Sequence, residues 1–259
     1  MIEMIGTSGY ETISAPNQNS TAVIQALLAS GNAAPMIAEI GIGIGATTVA
    51  MATLLANRGE LHLYNFREKV AELTADLANL GYTTIKGFGN TGRHWDSYNW
   101  TLGRMILGGR EAVYDYIYID GAHTFAVDGL AFVLCDRLLK PGGYLEFDDY
   151  NWSFAASCWM HENRDQFMTD EQISTPQVKM VVDLFLHGNA VTRRCNRTGC
   201  SGRRPIGRQA MRQTLWTGAV GHSTLSGIRP SQLRWPSSAR ASRPARCSSS
   251  MPCCRIATR

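Results

Sequence analysis

Two short stretches of this chain have the residue types and spacing for metal-assisted acid–base chemistry. Asp120-Gly121-Ala122-His123 directly follows the largely apolar run Tyr114–Ile119, and Asp148-Asp149 directly follows Gly142-Gly143-Tyr144-Leu145-Glu146-Phe147. Carboxylates at the carboxyl ends of parallel strands lie where open α/β sheets bind ligands. Three carboxylates and an imidazole converging there could hold a divalent cation and supply a general base. In a regular strand Asp148 and Asp149 would face opposite sides of the sheet, but a strand end frees both to turn toward one point. Each residue also has a plainer use: Asp120 serving a cofactor alone, Asp148-Asp149 as a solvated strand end, His123 as a helix cap.

The elements that must position these groups alternate along the chain. The spacing predicts a helix from an Asn19-Ser20 cap to about Ser30, a strand Met36–Ile42, a helix Ala46–Ala56 and a strand Leu61–Tyr64. A helix Arg67–Leu80 follows, with Val70, Leu73, Leu77 and Leu80 on one side, then a strand Thr83–Ile85 and a helix Trp100–Leu107. Strand Tyr114–Ile119, helix Thr124–Leu139, a turn at Pro141-Gly142-Gly143, strand Tyr144–Phe147 and a helix Gln172–Leu186 complete the pattern. Five strands alternating with helices imply an α/β, Rossmann-like, doubly wound and mostly parallel sheet. Near-continuous apolar strands fit burial on both faces.

Glu39-Ile40-Gly41-Ile42-Gly43-Ile44-Gly45 follows the first strand and opens a helix. Glycines there let the backbone approach a ligand closely. Gly41-x-Gly43-x-x-Ala46 satisfies a relaxed dinucleotide pattern, so an NAD-type oxidoreductase is one reading. Glu39 argues against it. A carboxylate within a strand is costly to bury unless paired; it would repel a pyrophosphate but not the cationic methionine portion of S-adenosylmethionine.

With Glu39 in place, the loop resembles motif I of class I S-adenosylmethionine-dependent methyltransferases, written E-x-G-x-G-x-G. Leu138-Leu139-Lys140-Pro141-Gly142-Gly143 resembles the same family's turn before strand five, and the likeness spans about Thr21–Leu186. The resemblance implies that Glu39, Gly41, Gly43 and Gly45 bind the cofactor, with Asp120 beside them. At the end of strand two the family usually has an acid accepting from the ribose hydroxyls. This chain has Asn65, which still accepts but without charge assistance; Glu68 is a candidate helper. Asn90, after strand three, is a candidate adenine contact.

The two acidic stretches resemble a narrower group, the metal-dependent O-methyltransferases that modify sugars of macrolide antibiotics. In that group an Asp-Gly-x-His follows strand four and an Asp-Asp pair follows strand five. The resemblance implies Asp120, Asp148 and Asp149 as Mg2+ ligands and His123 as the base. It also implies transfer of a methyl group to a hydroxyl of a sugar or glycosylated small molecule. Catechol-type relatives share the metal positions but not this histidine. Trp95, Tyr98, Trp100, Tyr150 and Trp152 lie near the same strand ends, where aromatic faces suit sugar rings or flat acceptors. His94 and His161 have no assigned place, and Trp159-Met160-His161 is a candidate substrate-covering insertion.

Length and charge bound the rest. At 259 residues the chain suits one domain with an appendage. No run approaches the roughly 18 apolar residues of a membrane span. Met1–Tyr10 lacks a basic and apolar leader, so a cytoplasmic location is expected. The body, residues 1–189, reads as the methyltransferase domain. Residues 190–259 differ: they hold 14 Arg, no Lys and no acid. Removing those 14 from the chain's 25 Lys and Arg leaves 11 in the body against all 21 Asp and Glu, a balance of −10. Five of seven Cys also fall there, leaving Cys135 and Cys158 in the body, both expected reduced. Such a segment cannot bury enough apolar surface to offset its ordering entropy.

Three readings of residues 190–259 stand open. They could form a disordered arm binding polyanions through arginine, a small metal site around Cys195 and Cys200, or an out-of-frame translation. The first makes a polyanion-binding protein with a degenerate methyltransferase body the second rival function. The resemblance also implies two further strands at the end of the sheet, the last one antiparallel and beside strand five. None is legible after Leu186, which would leave strand five an open edge.

Overall fold

The computed structural model describes residues 1–93, 95–157, 163–187 and 213–216. Its elements are α1 (Gln18–Ala29), β1 (Met36–Ile40), α2 (Ala46–Leu55), β2 (Glu60–Phe66), α3 (Arg67–Asn79) and β3 (Ile85–Asn90). They continue as α4 (Tyr98–Leu107), β4 (Tyr114–Ile119), α5 (Phe125–Leu138), β5 (Leu139–Phe147), α6 (Asp170–Ser174), α7 (Gln177–Val182) and β6 (Gln213–Trp216). The strands form one parallel sheet in the order β3-β2-β1-β4-β5-β6. This is the expected Rossmann-like arrangement, and its order reverses between β1 and β4, where open α/β sheets place their ligands.

The alternation of side chains along each strand divides the core. Ile37, Leu61, Leu63, Tyr116 and Tyr118 pack against Val23 and Ile24 of α1, Met51 and Leu55 of α2, and Leu73 and Leu77 of α3. Ala38, Ile40, Ile117, Ile119 and Phe147 pack on the other face against Leu102 and Ile106 of α4, Ala131 and Cys135 of α5, and Val178 and Val181 of α7. Helices thus cover both faces, and the carboxyl ends of β1, β4 and β5 are held in fixed register: Ile40 lies opposite Ile119, and Ile119 opposite Phe147.

Several boundaries differ from the sequence pattern, each for a local reason. The cap of α1 is Asn17 rather than Asn19-Ser20; its Oδ1 accepts from the amides of Asn19 (2.9 Å) and Ser20 (3.1 Å). The third strand is Ile85–Asn90, not Thr83–Ile85. Its glycines hid it, because glycine is a poor strand former. A Cβ on Gly87 would lie 2.3 Å from Val70 Cγ1, and one on Gly89 2.5 Å from Arg67 Cα, so α3 packs too closely on β3 for any side chain there.

Pro141-Gly142-Gly143 lies inside β5, where the register with β4 shifts between Tyr114 and Tyr116, and is a bulge rather than a preceding turn. The expected helix Gln172–Leu186 is two helices with Pro176 between them, followed by a π-helical turn at Asp183–His187. Proline removes a helix donor and its ring clashes with the preceding turn.

The end of the sheet also differs from expectation. β6 lies within the arginine-rich stretch and pairs with β5 from Tyr144 opposite Gln213 to Phe147 opposite Trp216. Four residues among serines and arginines are too few for an alternation to be read. β5 is therefore not an open edge over Tyr144–Phe147, and the pairing is parallel where the resemblance led one to expect an antiparallel last strand. The remaining readings on residues 190–259, and those on His94, Cys158 and Trp159–His161, lie outside the described residues. No helix among the described residues is long and apolar enough to cross a membrane.

Candidate active site

The glycine loop leaves β1 against the end of β4. Gly41 takes φ +85°, donates its amide to Tyr64 O at 2.9 Å, and would carry a Cβ only 1.7 Å from Asp120 O. Nothing larger than glycine passes between the two strand ends. Gly43 (φ +48°) and Gly45 (φ +94°) complete the turn, and Gly45 donates to Ile42 O at 2.7 Å as it caps α2. Behind this turn Glu39 is 1% exposed, and its Oε2 has no hydrogen-bond partner. Burial pushes its pKa up to about 8; Thr48 pulls the other way, and the Asp120 charge adds to the rise. Thr48 stands near enough to act on Glu39, yet its Oγ1 also lacks a partner in hydrogen-bonding geometry. A buried carboxyl oxygen with no donor is what a ligand ammonium group would satisfy.

Asn65 and Asn90 stand at the carboxyl ends of β2 and β3, on the same edge as the loop. Asn65 Oδ1 accepts from the amide of Phe66 at 2.6 Å and retains a second lone pair. Asn90 is 7% exposed and donates to Thr91 O at 3.2 Å.

The loops after β4 and β5 bring three of the four chemistry-bearing residues together. Asp120, bonded through its amide to Ile40 O (2.7 Å), begins the first loop. Nε2 of the buried His123 lies 3.2 Å from Asp120 Oδ1 and 2.8 Å from Asp149 Oδ2. Neither approach lies along the ring N–H direction, so both ring nitrogens of His123 are without a hydrogen-bond partner of proper geometry. One donor atom from each of Asp120, His123 and Asp149 lies within 4.8 Å of the others.

Ligands sharing a cation with bonds of about 2.1 Å stand about 3.0–4.2 Å apart, so small side-chain movements would bring these atoms onto one ion. The two carboxylates suit a divalent ion, with the imidazole beside them. Burial holds the His123 pKa down, but the close carboxylates of Asp120 and Asp149 outweigh it and bring it to about 10. Both His123 (φ 58°) and Asp149 (φ 55°) take left-handed backbone conformations, which are strained for non-glycine residues and concentrate at functional sites.

Asp148 is placed differently from the expected ligand set. Its Oδ2 accepts from the Tyr118 hydroxyl and from Asn17 Nδ2 (3.3 Å), and its Oδ1 from the amide of Asp149 (2.8 Å). It therefore lies outside the three-residue cluster. Consecutive side chains leave an extended backbone on opposite sides, and the two adjacent carboxylates stay apart here.

Sequence reasoning missed the groups that hold the Asp120–His123 loop in place. The hydroxyl of buried Tyr98, on α4, donates to Asp128 Oδ1, on the first turn of α5. The amide of Ala122 lies 3.1 Å from the Tyr98 hydroxyl and 3.3 Å from Asp128 Oδ1. A Cβ on Gly121 would sit 2.4 Å from that hydroxyl, so Asp-Gly-x-His needs its glycine for this brace. The only sequence signal was an aspartate within an otherwise apolar helix start. Of the aromatic candidates, Trp152 meets His123 edge-on with ring centres 5.1 Å apart, and Tyr150 donates to Asp183 Oδ1 at 2.8 Å. Trp95 and Trp100 are exposed, at 90% and 66%.

Comparison with known proteins adds a likeness to one family. A family model described as a methyltransferase domain matches residues 38–150. No curated protein matches the chain. Among solved structures, the chain is similar to the O-methyltransferase TomG from Streptomyces achromogenes, involved in tomaymycin synthesis and solved with S-adenosylmethionine. The identity is 22%, over 63% of this chain and 64% of that one, with a TM-score of 0.42. It is also similar to a methyltransferase homolog protein from Pyrococcus horikoshii (20% identity, 49% of this chain and 42% of that one, TM-score 0.35). A candidate caffeoyl-CoA O-methyltransferase from Staphylococcus aureus matches at 17% identity over 72% of this chain and 83% of that one, with a TM-score of 0.47. The chain thus spans less than two thirds of the length of the first two.

Proposed function

We propose that the chain, whose residues 38–150 match a family model described as a methyltransferase domain, is a class I S-adenosylmethionine-dependent methyltransferase that methylates a hydroxyl of a sugar or glycosylated small molecule with the help of Mg2+. The observation that carries this reading is the approach of donor atoms from Asp120, His123 and Asp149 to within 4.8 Å of one another beside the glycine loop. S-Adenosylmethionine supplies an electrophilic methyl on a sulfonium. The loop from Gly41 to Gly45 gives it backbone room, Glu39 gives its ammonium a partner, and Asn65 and Asn90 offer amide groups for the ribose and adenine.

Asp120 and Asp149 are the residues that would hold the cation, whose oxygen preference they match. Bound there, it would neutralise both carboxylates, polarise the acceptor hydroxyl and keep positions open for a vicinal diol. His123 is the proton acceptor. A base must be neutral; with the two carboxylates engaged on a cation, burial, the largest influence on the ring, favours that form. Trp152 and the loop backbone fix the ring, so the remaining gain is positioning of the hydroxyl for in-line attack. Asp148 supports this site through Tyr118 and Asn17.

S-Adenosylhomocysteine release, followed with a panel of glycosides and catechols with and without Mg2+, tests the reading. We expect turnover with a glycoside that bears neighbouring hydroxyls, and its loss in a chelator. Undiminished turnover in the chelator would remove Mg2+ and its acidic ligands from the reaction.

A further inference from the structure

We propose that a groove along α4 and β3 binds a planar aromatic anion, at a site separate from the glycine loop and the Asp120–His123–Asp149 cluster. The groove has a volume of about 510 Å³ and is lined by His62, Lys86, Phe88, Trp100, Arg104 and Arg110, among others. That volume lies within the range of small-molecule sites. None of these side chains belongs to the loop or the cluster.

Charge is the first argument. The 189-residue body holds 11 Lys and Arg against 21 Asp and Glu, yet Lys86, Arg104 and Arg110 all line this one groove. Lys86 is balanced by Glu60 Oε1 at 2.7 Å. Arg104 and Arg110 have no ion pair among the described residues, so the groove keeps an uncompensated positive charge on an otherwise acidic body. Guanidinium groups recognise carboxylate and phosphate with paired hydrogen bonds and also stack on flat rings.

The walls supply the second argument. Trp100 leaves 66% of its surface open although tryptophan is costly to expose. Phe88 stacks on Tyr64 with ring centres 4.8 Å apart and an angle of 10°, which fixes it as a rigid wall. His62 is held from both sides, by Tyr114 at 2.8 Å and Glu60 at 2.9 Å, and packs 5.1 Å from Phe88 as part of the floor. A bare inorganic anion would leave these rings uncovered, and a neutral ring would leave the arginines unmatched. The ligand that uses both carries a ring and a carboxylate or phosphate on the same molecule.

The test is calorimetric titration of the full chain, with and without saturating S-adenosylhomocysteine. The probes are phenyl phosphate and 4-hydroxybenzoate, with inorganic phosphate, acetate and phenol as controls. At least one aromatic anion should saturate at a single site while the controls do not, and the two probes separate a phosphate from a carboxylate preference. The double variant R104A/R110A should weaken that binding by roughly tenfold or more, while S-adenosylhomocysteine affinity stays the same. Trp100→Ala should weaken it independently, and Arg137→Ala, whose arginine is paired with Glu111 outside the groove, should not. All three groove side chains are exposed, so these variants keep the core intact. Absence of saturable binding by either aromatic anion, equal binding of the controls, or an R104A/R110A variant that binds as the parent does would each overturn the proposal.

Discussion

Asp148 and Asp149 are consecutive, yet their carboxylates take different partners. Asp149 Oδ2 lies 2.8 Å from His123 Nε2, whereas Asp148 Oδ2 accepts from the Tyr118 hydroxyl and from the side-chain amide of Asn17. Asn17 is also the cap of α1, so Asp148 ties the start of that helix to the ends of β4 and β5. The two aspartates therefore have separable roles, one facing the chemistry and one holding the frame around it.

Substitution at these two positions should separate those roles. Asp149→Asn should reduce Mg2+-dependent turnover by about a hundredfold or more, on the scale of losing one charged group that acts in the transition state, while S-adenosylhomocysteine binding persists. Asp148→Asn should lower the melting temperature and cost less than about tenfold in Mg2+ affinity, because its oxygens are already engaged. Titrating activity with Mg2+ for both variants decides this. Equal loss of metal affinity in the two would return Asp148 to the ligand set.

His123→Ala should lower kcat by about 10²- to 10⁴-fold, the usual worth of a general base, and leave cofactor affinity within a few-fold of the parent. The imidazole reaches Asp120, Asp149 and Trp152 but none of the loop glycines. Pre-steady-state methyl transfer, measured beside S-adenosylhomocysteine calorimetry, separates the two effects. A variant that keeps its transfer rate would leave His123 a structural residue.

The sheet was legible because its buried strands are continuous apolar runs, and Glu39, Asp120 and His123 stood out as polar residues at their ends. Three features were hidden by their physics. Gly87 and Gly89 make β3 look like a loop, since packing against α3 rather than strand propensity selects them. Whether Asp148 and Asp149 converge or stay apart is decided by the backbone at the end of β5, which no local composition announces. Tyr98 and Asp128 meet only through the packing of α4 on α5, 30 positions apart in sequence.

Glu39 links folding to pH. Its pKa is raised from an ordinary 4.5 to about 8, chiefly by burial. Below pH 4.5 the carboxyl is protonated in both folded and unfolded chains and costs nothing. Between 4.5 and 8 only the folded chain keeps the proton, so the Glu39 contribution falls by about 1.4 kcal/mol per pH unit and levels off above pH 8. Glu39→Gln should therefore melt higher than the parent at pH 8.5 in the absence of cofactor, with the gap closing toward pH 5. The same variant should bind S-adenosylmethionine roughly tenfold more weakly, having lost a charged partner for its ammonium. Melting curves across that pH range check the first point, and a gap that widens toward acid would contradict it.

The brace under Asp120–His123 makes a last prediction. Removing only the hydroxyl in Tyr98→Phe leaves the ring in the core and takes one donor from buried Asp128 and one partner from the Ala122 amide. Leaving buried polar groups short of a partner costs about 1–3 kcal/mol, so the melting temperature should fall by several degrees. Asp128→Asn keeps an acceptor and should cost less. A brace also sets where His123 sits, so kcat should drop in Tyr98→Phe while the KM for the acceptor changes little; misplacing a catalytic group affects the transition state more than ground-state binding. A purely structural hydroxyl would lower stability alone. Steady-state kinetics taken well below the melting temperature of each variant distinguish the two, and an unchanged kcat would confine Tyr98 to the core.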